Sequence, residues 1–547
     1  MRFISLPIKT YWMATFVVAL YFSLVLNLPI YQNLYQIFHD LEHVKIGFII
    51  SIPIFFTLAL NFIFNIFSWP YFFKPIFIAL VIVSSMVSYG SFNYGIIFDR
   101  DMLINILQTN TSESTSYLSA HSVAWVVLFG VVPAIFIALF PLDSNDGAVR
   151  ILLGKLASML FSVVGILLIA SLYYKDYSSV GRNNSYLKKV IIPTHVVYSG
   201  YKVVKEEYFS EPREYKSIGL DARQVPDSES DGKKPVLMVF VVGETARSAN
   251  FQYQGYDKPT NAFTEKYSPI YFSDVTSCGT ATALSVPCMF SMLDRGSYNS
   301  AAGENQDNVI DVLQRAGISM NWEDNDGGDK GVAKHIPKTE LHGTDAKDAC
   351  NGSTCFDAAL LDGLNVHIDA LTGNRIVFLH LIGSHGPTYY QRYPASMAYF
   401  QPDCQRSDIE NCTSEQIVNT YDNTIRYTDF VLSELIEKLK LRSDEFATAM
   451  VYLSDHGESL GEGGVFLHGL PYSFAPETQK KIPLLFWGSD DFMNQKQIDE
   501  ACLRNKASQP FSHDNVSHTL LGIMDVSTEA YSQPLDIFAG CRYGAGH

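Results

Sequence analysis

"PVLMVFVVGETAR", residues 235–247, decides the fold class of the second half of this 547-residue chain. An uninterrupted apolar run rich in valine ends at a glycine and is followed at once by polar residues. Such a run indicates a β-strand that is buried on both faces, as in a parallel sheet. Three later stretches have the same form: "RIVFLHLIG" (375–383), "TAMVYLSDHG" (448–457) and "KIPLLFWG" (481–488).

Helical patterns separate these predicted strands. The clearest are "NVIDVLQRAG" (308–317) and "QIVNTYDNTIRYTDFVLSELIEKLK" (416–440). Alternating strands and helices predict an α/β domain with a mainly parallel sheet covered on both faces. Ligands of such folds bind beyond the carboxyl ends of the strands.

Polar side chains follow the predicted strands at those ends. Glu244 follows the first, His385 the second, and Asp455 and His456 the third, while His468 lies in "FLHGLP". Any one of them alone is more often a surface, capping or structural residue. Together, carboxylates and imidazoles predict a divalent metal centre that takes zinc or manganese.

The loop "SCGTATALSVPC" (277–288) carries candidate nucleophiles. A metal held by Glu244, Asp455 and His456 keeps an open position, and a hydroxyl placed there is activated. Residue chemistry does not choose between the hydroxyls of Thr280, Thr282 and Ser285 in this loop. The alternative is that the two threonines cap a short helix that begins near Ser285, with Pro287 in its first turn.

The first half of the chain is strongly apolar. Five segments are long enough to span a bilayer: 11–28, 46–67, 71–89, 123–140 and 151–174. Basic residues lie on one side of them, at Arg2, Lys9, Lys74, Arg150 and Lys155. This asymmetry predicts a cytoplasmic N-terminus, and an odd number of spans then exports the rest of the chain.

All eight cysteines lie in the part predicted to be exported, where disulfides persist. Three pairs are close in sequence, and we expect each pair to form a disulfide: Cys278 with Cys288, Cys350 with Cys355, and Cys404 with Cys412. Cys502 and Cys541 remain as a fourth, less clear pair. A cysteine metal site is the alternative, but the sequence has no C-x-x-C motif.

The chain is expected to have three parts. Residues 1–174 form the membrane domain, residues 175–233 a linker, and residues 234–547 the catalytic domain. The first part of the linker is either a helix along the membrane surface or a plain tether. A net charge of −16 and the lack of a Walker A or G-x-G-x-x-G motif argue against nucleic acid and nucleotide ligands.

The motifs "VVGETAR", "SCGTATALSVPCMF", "GSHGPTYY", "YDNTIRYTD", "SDHGESLGE" and "FLHGLP", in this order, resemble the lipid A phosphoethanolamine transferases, including the mobile colistin-resistance enzymes. The resemblance implies an alkaline phosphatase/sulfatase-like α/β/α domain behind five transmembrane helices. It implies Thr282 as the nucleophile and one zinc site, with a second zinc as an option. The implied zinc ligands are Glu244, Thr282, Asp455 and His456. His385 and His468 match positions that bind substrate phosphate or a second zinc, and Lys330 matches a substrate-side lysine.

The implied reaction moves phosphoethanolamine from phosphatidylethanolamine to a lipid A phosphate through a covalent threonine intermediate, which gives polymyxin resistance. The implied protein is a monomer in the inner membrane of a Gram-negative cell, in contact with membrane lipids, and its catalytic domain is periplasmic. Two alternatives are a glycerol-phosphate polymerase or phosphodiesterase of the same fold, and a metal-binding membrane sensor without catalysis.

Two further stretches bear on the substrate. Asn105, Thr109 and Glu113 in "INILQTNTSES" are spaced by four, which places them on one face of a helix. A solvated face is the alternative, but the resemblance implies that they hold the lipid head group, with its ammonium near Glu113. In "GGDKGVAKHIP" (327–337) this chain has Asp329 and Ala333 where many relatives have cysteines, so the loop of Lys330 lacks that disulfide.

Overall fold

The computed structural model describes residues 10–39, 43–109, 114, 115, 117–142, 147–209, 214–225, 233–345, 349, 350 and 354–543. The chain divides into two compact units. One comprises Met1–Leu103 and Leu118–Phe209, and the other Ile104–Tyr117 and Ser210–His547.

The first unit is helical. Four of its described helices are long and apolar enough to cross a membrane, and a bent pair, Tyr11–Leu26 with Leu28–His39, makes a fifth if it is counted as one span. The helices between residues 10 and 209 are α1 (Tyr11–Tyr21), continued by a π-helical turn (Phe22–Leu26), α2 (Leu28–His39), α3 (Ile46–Phe67), α4 (Phe73–Tyr94), α5 (Arg100–Gln108), α6 (Ala120–Val126), a π-helical turn (Val127–Val131), α7 (Val132–Leu139), α8 (Ala148–Asn183), α9 (Leu187–Val190) and α10 (Thr194–Phe209). The part of α5 from Ile104 onwards belongs to the second unit.

Two predicted spans differ from the observed helices. The first is not straight, because the chain bends by 51° between α1 and α2. Asn27 lies at this bend, and its side chain donates to Phe22 O (2.9 Å) and Ile192 O (2.6 Å). The fifth predicted span ends at residue 174, but α8 continues to Asn183 past non-helical backbone at Tyr173. Hydropathy marks only the apolar part of a helix, so it missed this polar extension.

A seven-stranded mixed sheet forms the centre of the second unit, in the order β3-β11-β8-β2-β7-β5-β6. All four predicted strands are present, but β11 runs antiparallel to both of its neighbours. The strands of the sheet are β2 (Val236–Gly243), β3 (Ile270–Phe272), β5 (Ser319–Asp324), β6 (Lys338–Glu340), β7 (Arg375–His380), β8 (Ala447–Ser454) and β11 (Leu484–Gly488). Short pairs are formed by β1 (Arg223–Gln224) with β13 (Val526–Ser527), β4 (Val275–Thr276) with β12 (Phe511–Ser512), and β9 (Ser459–Leu460) with β10 (Phe466–Leu467).

Helices flank these strands in the second unit. Both predicted helices are present, as α13 and α15. The helices are α11 (Thr282–Met289), α12 (Ser300–Glu304), α13 (Val309–Arg315), α14 (Leu364–Ala370), α15 (Ser414–Leu441), α16 (Glu477–Lys480), α17 (Asp490–Gln495), α18 (Glu500–Lys506) and α19 (Val516–Ile523). Every residue of β2 is buried, as expected for a central strand covered on both faces.

The register of the parallel strands brings their carboxyl ends to one level. Val242 of β2 pairs with His380 of β7, and Gly243 pairs with Ser454 of β8. Asp324, the last residue of β5, also pairs with His380. The polar residues that follow these strands therefore meet at a single edge of the sheet.

Candidate metal centre

Thr282 is the first residue of α11, within the loop that the disulfide between Cys278 and Cys288 closes. The helix begins three residues before Ser285, where the alternative interpretation of the sequence placed its start. Its N-cap is Ala281, which makes no side-chain cap bond, so Thr280 and Thr282 do not cap a helix starting near Ser285. Backbone N–H groups at a helix start favour an anion, which suits a phosphate beside Thr282.

The three hydroxyls of this loop have different partners. Thr280 donates to Leu470 O at 2.6 Å, and Ser285 donates to Asp455 O at 2.5 Å. Thr282 Oγ1 instead lies 3.0 Å from Glu244 Oε2 and 3.3 Å from His456 Nε2. Of the three, only Thr282 directs its hydroxyl at the predicted ligand side chains.

Glu244, Asp455 and His456 form a buried cluster whose ligand atoms all lie within 4.8 Å of one another. His456 Nε2 is 3.6 Å from Glu244 Oε1 and 3.2 Å from Asp455 Oδ2. His456 Nδ1 lies 2.9 Å from Gly457 O, a partner that directs Nε2 towards the carboxylates.

The cluster has the chemistry of a zinc site. Glu244 Oε1 and Asp455 Oδ2 are buried without a hydrogen-bond partner, whereas Asp455 Oδ1 accepts from the backbone N–H groups of Thr245 and His456. Unpaired buried carboxylate oxygens are costly unless a cation meets them. One imidazole, two carboxylates and a hydroxyl make a four-ligand set that fits zinc.

The pKa values of these three groups reflect the cost of burying their charges without a cation. Burial, with the charge of Asp455, raises the pKa of Glu244 well above its usual value. Burial opposes ionisation of Asp455 as well, but the neighbouring His456 holds the pKa of Asp455 below its usual range. Burial lowers the pKa of His456 to about 4, so its imidazole is neutral, as a metal ligand must be.

Gly383 allows the backbone of Glu244 to approach closely. Its φ of +49° lies in the left-handed region, and a Cβ there would stand 2.7 Å from Glu244 O. Only glycine fits both the conformation and the space.

His385 and His468 lie beside this cluster. The ring centroid of His468 is 4.5 Å from that of His456 and 5.6 Å from that of His385. His468 Nδ1 is 3.0 Å from Glu458 Oε2, which orients the ring. Both histidines are therefore near the space in front of Thr282.

Lys330 lines a cavity of about 680 Å³ together with Ala283 and Pro287 of α11. Its Nζ is 3.7 Å from Asp326 Oδ2. The carboxylate of Asp329 holds this loop by accepting from Ala333 N (2.7 Å) and Lys338 Nζ (3.0 Å).

Sequence reasoning missed Asp326 and His380. Together with Glu244 they form a second buried group whose ligand atoms lie within 4.8 Å of one another. The available signal was a polar residue at or near the end of each strand, since His380 interrupts the apolar run 375–383 and Asp326 lies two residues after "NWED" of β5.

The structure describes two of the three residues that were predicted to share a helical face, Asn105 and Thr109. Helix α5 ends at Gln108, and Thr109 lies one residue beyond, donating its hydroxyl to Asn105 O at 2.8 Å. The sequence that follows, "TNTS", consists of residues with low helix propensity. Glu113 lies outside the described residues.

The structure pairs all the cysteines. The expected partners Cys350 and Cys355, and Cys404 and Cys412, are bonded, and Cys502 is bonded to Cys541. Disulfides of this density are typical of a chain segment in an oxidising compartment.

Comparison with known proteins agrees with this arrangement. The family described as Sulfatase matches residues 237–526, and the family described as Phosphoethanolamine transferase EptA/EptB matches residues 56–208. Phosphoethanolamine transferase EptA of Escherichia coli strain K12 is 38% identical over 96% of each chain, and phosphatidylethanolamine transferase Mcr-1 of Escherichia coli is 33% identical over 94% of each. The solved structure of the integral membrane protein lipooligosaccharide phosphoethanolamine transferase A (EptA) of Neisseria meningitidis is similar with a TM-score of 0.93 and 35% identity, covering 96% of this chain and 98% of that one. The chain belongs to the phosphoethanolamine transferase EptA family.

Proposed function

We propose that this protein transfers phosphoethanolamine from phosphatidylethanolamine to a phosphate of lipid A, with Thr282 as the nucleophile. The observation that carries the proposal is the position of Thr282 Oγ1 at a helix start, 3.0 Å from Glu244 Oε2 and 3.3 Å from His456 Nε2. The donor agrees with the name of the Mcr-1 relative, and the acceptor with the lipooligosaccharide named for the Neisseria meningitidis relative.

The reaction is a double displacement. Thr282 Oγ1 attacks the phosphorus of the donor, an Oγ1–P bond forms, and the P–O bond to diacylglycerol breaks. Thr282 loses its hydroxyl proton, and the departing diacylglycerol oxygen takes up one proton. A phosphate oxygen of lipid A then attacks the same phosphorus, and Thr282 Oγ1 leaves and is protonated again.

Glu244, Thr282, Asp455 and His456 are the residues that would hold zinc. Zinc bound there supplies the positive charge that lowers the pKa of a threonine hydroxyl towards neutrality. Asp455 is held in place by two backbone N–H groups and His456 by Gly457 O, so the side chains are oriented before any ligand arrives.

The cavity next to α11 suits the donor head group. Lys330 lines it, and its ammonium group would attract a phosphate bound there. Ile104 and Gln108, the neighbours of Asn105 and Thr109 in sequence, line it too, which supports a head-group role for this segment. His385 and His468 would stabilise charge on the phosphoryl oxygens from the side of His456.

The location follows from the charges and the disulfides. We infer a Gram-negative inner-membrane protein with a cytoplasmic N-terminus and a periplasmic catalytic domain, which acts as a monomer. A reporter enzyme that folds only outside the cytoplasm should be active when fused after residue 543 and inactive when fused before residue 10. The reverse pattern would contradict the orientation.

Capping anionic lipid A phosphates with an amine lowers the negative charge of the cell surface, so cells should bind cationic polymyxins less well.

The test is covalent labelling. Purified full-length protein is mixed with phosphatidylethanolamine without acceptor and digested with a protease. The peptide masses are then measured by mass spectrometry. We expect a phosphoethanolamine mass increment on the peptide that contains Thr282, and no increment in Thr282→Ala. Unmodified peptide from protein that turns over when lipid A is added would contradict the covalent mechanism, and a sensor without catalysis would give neither label nor product.

A further inference from the structure

A second group of metal-ligating side chains adjoins the Thr282 site. Glu244, Asp326 and His380 follow or end three adjacent strands, β2, β5 and β7, and all three are buried. One ligand atom of each lies within 4.8 Å of the others. A buried set of two carboxylates and one imidazole has the composition of a zinc or manganese site.

His380 is oriented for this purpose. Its Nδ1 lies 2.9 Å from Asp324 Oδ2, while its Nε2 is buried without a hydrogen-bond partner and is 3.7 Å from Asp326 Oδ2. Histidines that bind metals commonly donate their other N–H to a carboxylate in this manner.

Asp324 is itself fixed as an anion. Its Oδ2 also accepts from Trp322 Nε1 at 2.9 Å, and its Oδ1 accepts from Asp326 N at 2.9 Å and Gly328 N at 2.8 Å. Asp324 therefore serves to position His380, and its lone pairs are already engaged.

Glu244 belongs to both groups. Its Oε2 accepts from Thr282, and its Oε1 is buried without a partner. From these contacts we propose that Glu244, Asp326 and His380 hold a second divalent cation of the zinc or manganese class, with Glu244 as the bridging carboxylate. This site differs from His385 and His468, the residues to which family resemblance assigned a second zinc.

The charge balance supports two ions. The buried carboxylates of Glu244, Asp324, Asp326 and Asp455 carry four negative charges when ionised. One divalent ion and Lys330, whose Nζ is 3.7 Å from Asp326 Oδ2, supply three positive charges. One negative charge is then left uncompensated inside the protein, and a second divalent ion would meet it.

The second ion would neutralise charge on the phosphoryl oxygens. Phosphoryl-transfer enzymes commonly use such pairs of ions, about 3.5–4 Å apart. The inference rests on the proposed function only through Glu244, which the two sites share.

The test is metal stoichiometry. The full-length protein in detergent is stripped with a chelator and titrated with zinc chloride, and bound zinc per chain is counted by native mass spectrometry. We expect two zinc ions per chain for the wild type and one for Asp326→Asn and for His380→Gln. Asp455→Asn should lose the other ion. His513→Gln is the matched control and should keep two, because His513 is equally buried but has both ring nitrogens bonded, to Cys278 N and Ser454 O at 3.0 Å each.

Anomalous scattering at the zinc edge locates the ions in wild-type crystals, even if a variant fails to fold. A second peak beside His380 Nε2 and Asp326 supports the proposal. A single ion in the wild type, an unchanged count in His380→Gln, or a second peak between His385 and His468 would overturn it and leave the proposed function standing. Loss of the Thr282 site itself, with no ion near Asp455, would count against the proposed function instead.

Discussion

Thr282 Oγ1 lies 3.0 Å from Glu244 Oε2, although the two residues are 38 positions apart in the chain. The contact joins the start of a helix to the end of a central strand. This contact distinguishes Thr282 from Thr280 and Ser285, whose hydroxyls donate to backbone carbonyls.

Valine substitutions should separate the roles of these hydroxyls. Thr282→Val should lower transfer to lipid A at least about a thousandfold, because it removes the nucleophile. Thr280→Val is the matched control and should lower activity less than about tenfold and stability by about 1 kcal/mol, since it leaves Leu470 O without its donor. Mass spectrometry of lipid A and thermal unfolding measure the two effects. A larger loss of activity in Thr280→Val than in Thr282→Val would show that Thr282 is not the nucleophile.

Alanine at Gly383 should weaken zinc binding. Gly383→Ala adds a Cβ 2.7 Å from Glu244 O and 3.0 Å from Glu244 N, so the backbone of a ligand must shift. Gly373→Ala is the matched control, because Gly373 also has a positive φ (+61°) but no atom within 4 Å of the added Cβ. Both variants should lose about 1–2 kcal/mol of stability through φ, whereas only Gly383→Ala should lose zinc affinity in a calorimetric titration. Equal affinities would show that the close approach is not needed.

Two disulfides close loops of similar length, and removing the disulfide should lower activity in only one of the two loops. Cys278→Ser/Cys288→Ser opens a loop of sequence separation 10, and Cys404→Ser/Cys412→Ser opens one of separation 8. In the loop-closure model each change costs about 2–3 kcal/mol of stability. Only the first pair holds the Thr282 loop, so kcat should fall in that variant alone, as measured with phosphatidylethanolamine at a temperature where both variants are folded. A similar fall in kcat for both would mean that general stability limits the enzyme.

Asp429 should make stability depend on pH. Burial raises its pKa from 3.8 to about 6, although Phe263 N and Thr264 N donate to it at 2.7 Å and 3.1 Å. Between these two pKa values the folded state keeps a proton that the unfolded state has lost, so the stability contributed by this group falls as pH rises from about 4 to about 6. The total is about 3 kcal/mol, at about 1.4 kcal/mol per pKa unit.

Thermal unfolding of Asp429→Asn against pH tests this. The variant should be less stable overall, because an amide replaces an acceptor, but it should lack the decline between about pH 4 and about pH 6. Asp444→Asn, at an exposed position, is the control and should follow the wild type. Parallel curves for the wild type and Asp429→Asn would refute the assignment.

The sequence predicts those parts of the fold that have a simple period. The runs at 236–243, 375–380, 447–454 and 484–488 are strands because continuous burial requires continuous apolar residues. Strand β5, "SMNWED", was missed because four of its six residues are polar, and Asp326 was missed with it. The antiparallel direction of β11 and the bend at Asn27 depend on tertiary contacts that no local pattern records.

The positions of the candidate ligands followed from the rule that sites lie beyond strand ends. Glu244 and Asp455 come directly after apolar runs, so they were found. His380 was read as part of its strand, because it interrupts the run "RIVFLHLIG" only once. Residue chemistry alone could not choose Thr282 over its neighbours, because the choice depends on the contacts of its hydroxyl with Glu244 and His456.

The Lys330 loop is held by hydrogen bonds to the Asp329 carboxylate, whereas the Thr282 loop is closed by a disulfide. The two loops therefore respond differently to the redox conditions of the compartment. The hydrogen bonds that Asp329 accepts from Ala333 N and Lys338 Nζ do not depend on the thiol–disulfide redox potential of the compartment. A cell that forms disulfides poorly would therefore produce a protein in which the Lys330 loop keeps its structure and the Thr282 loop does not.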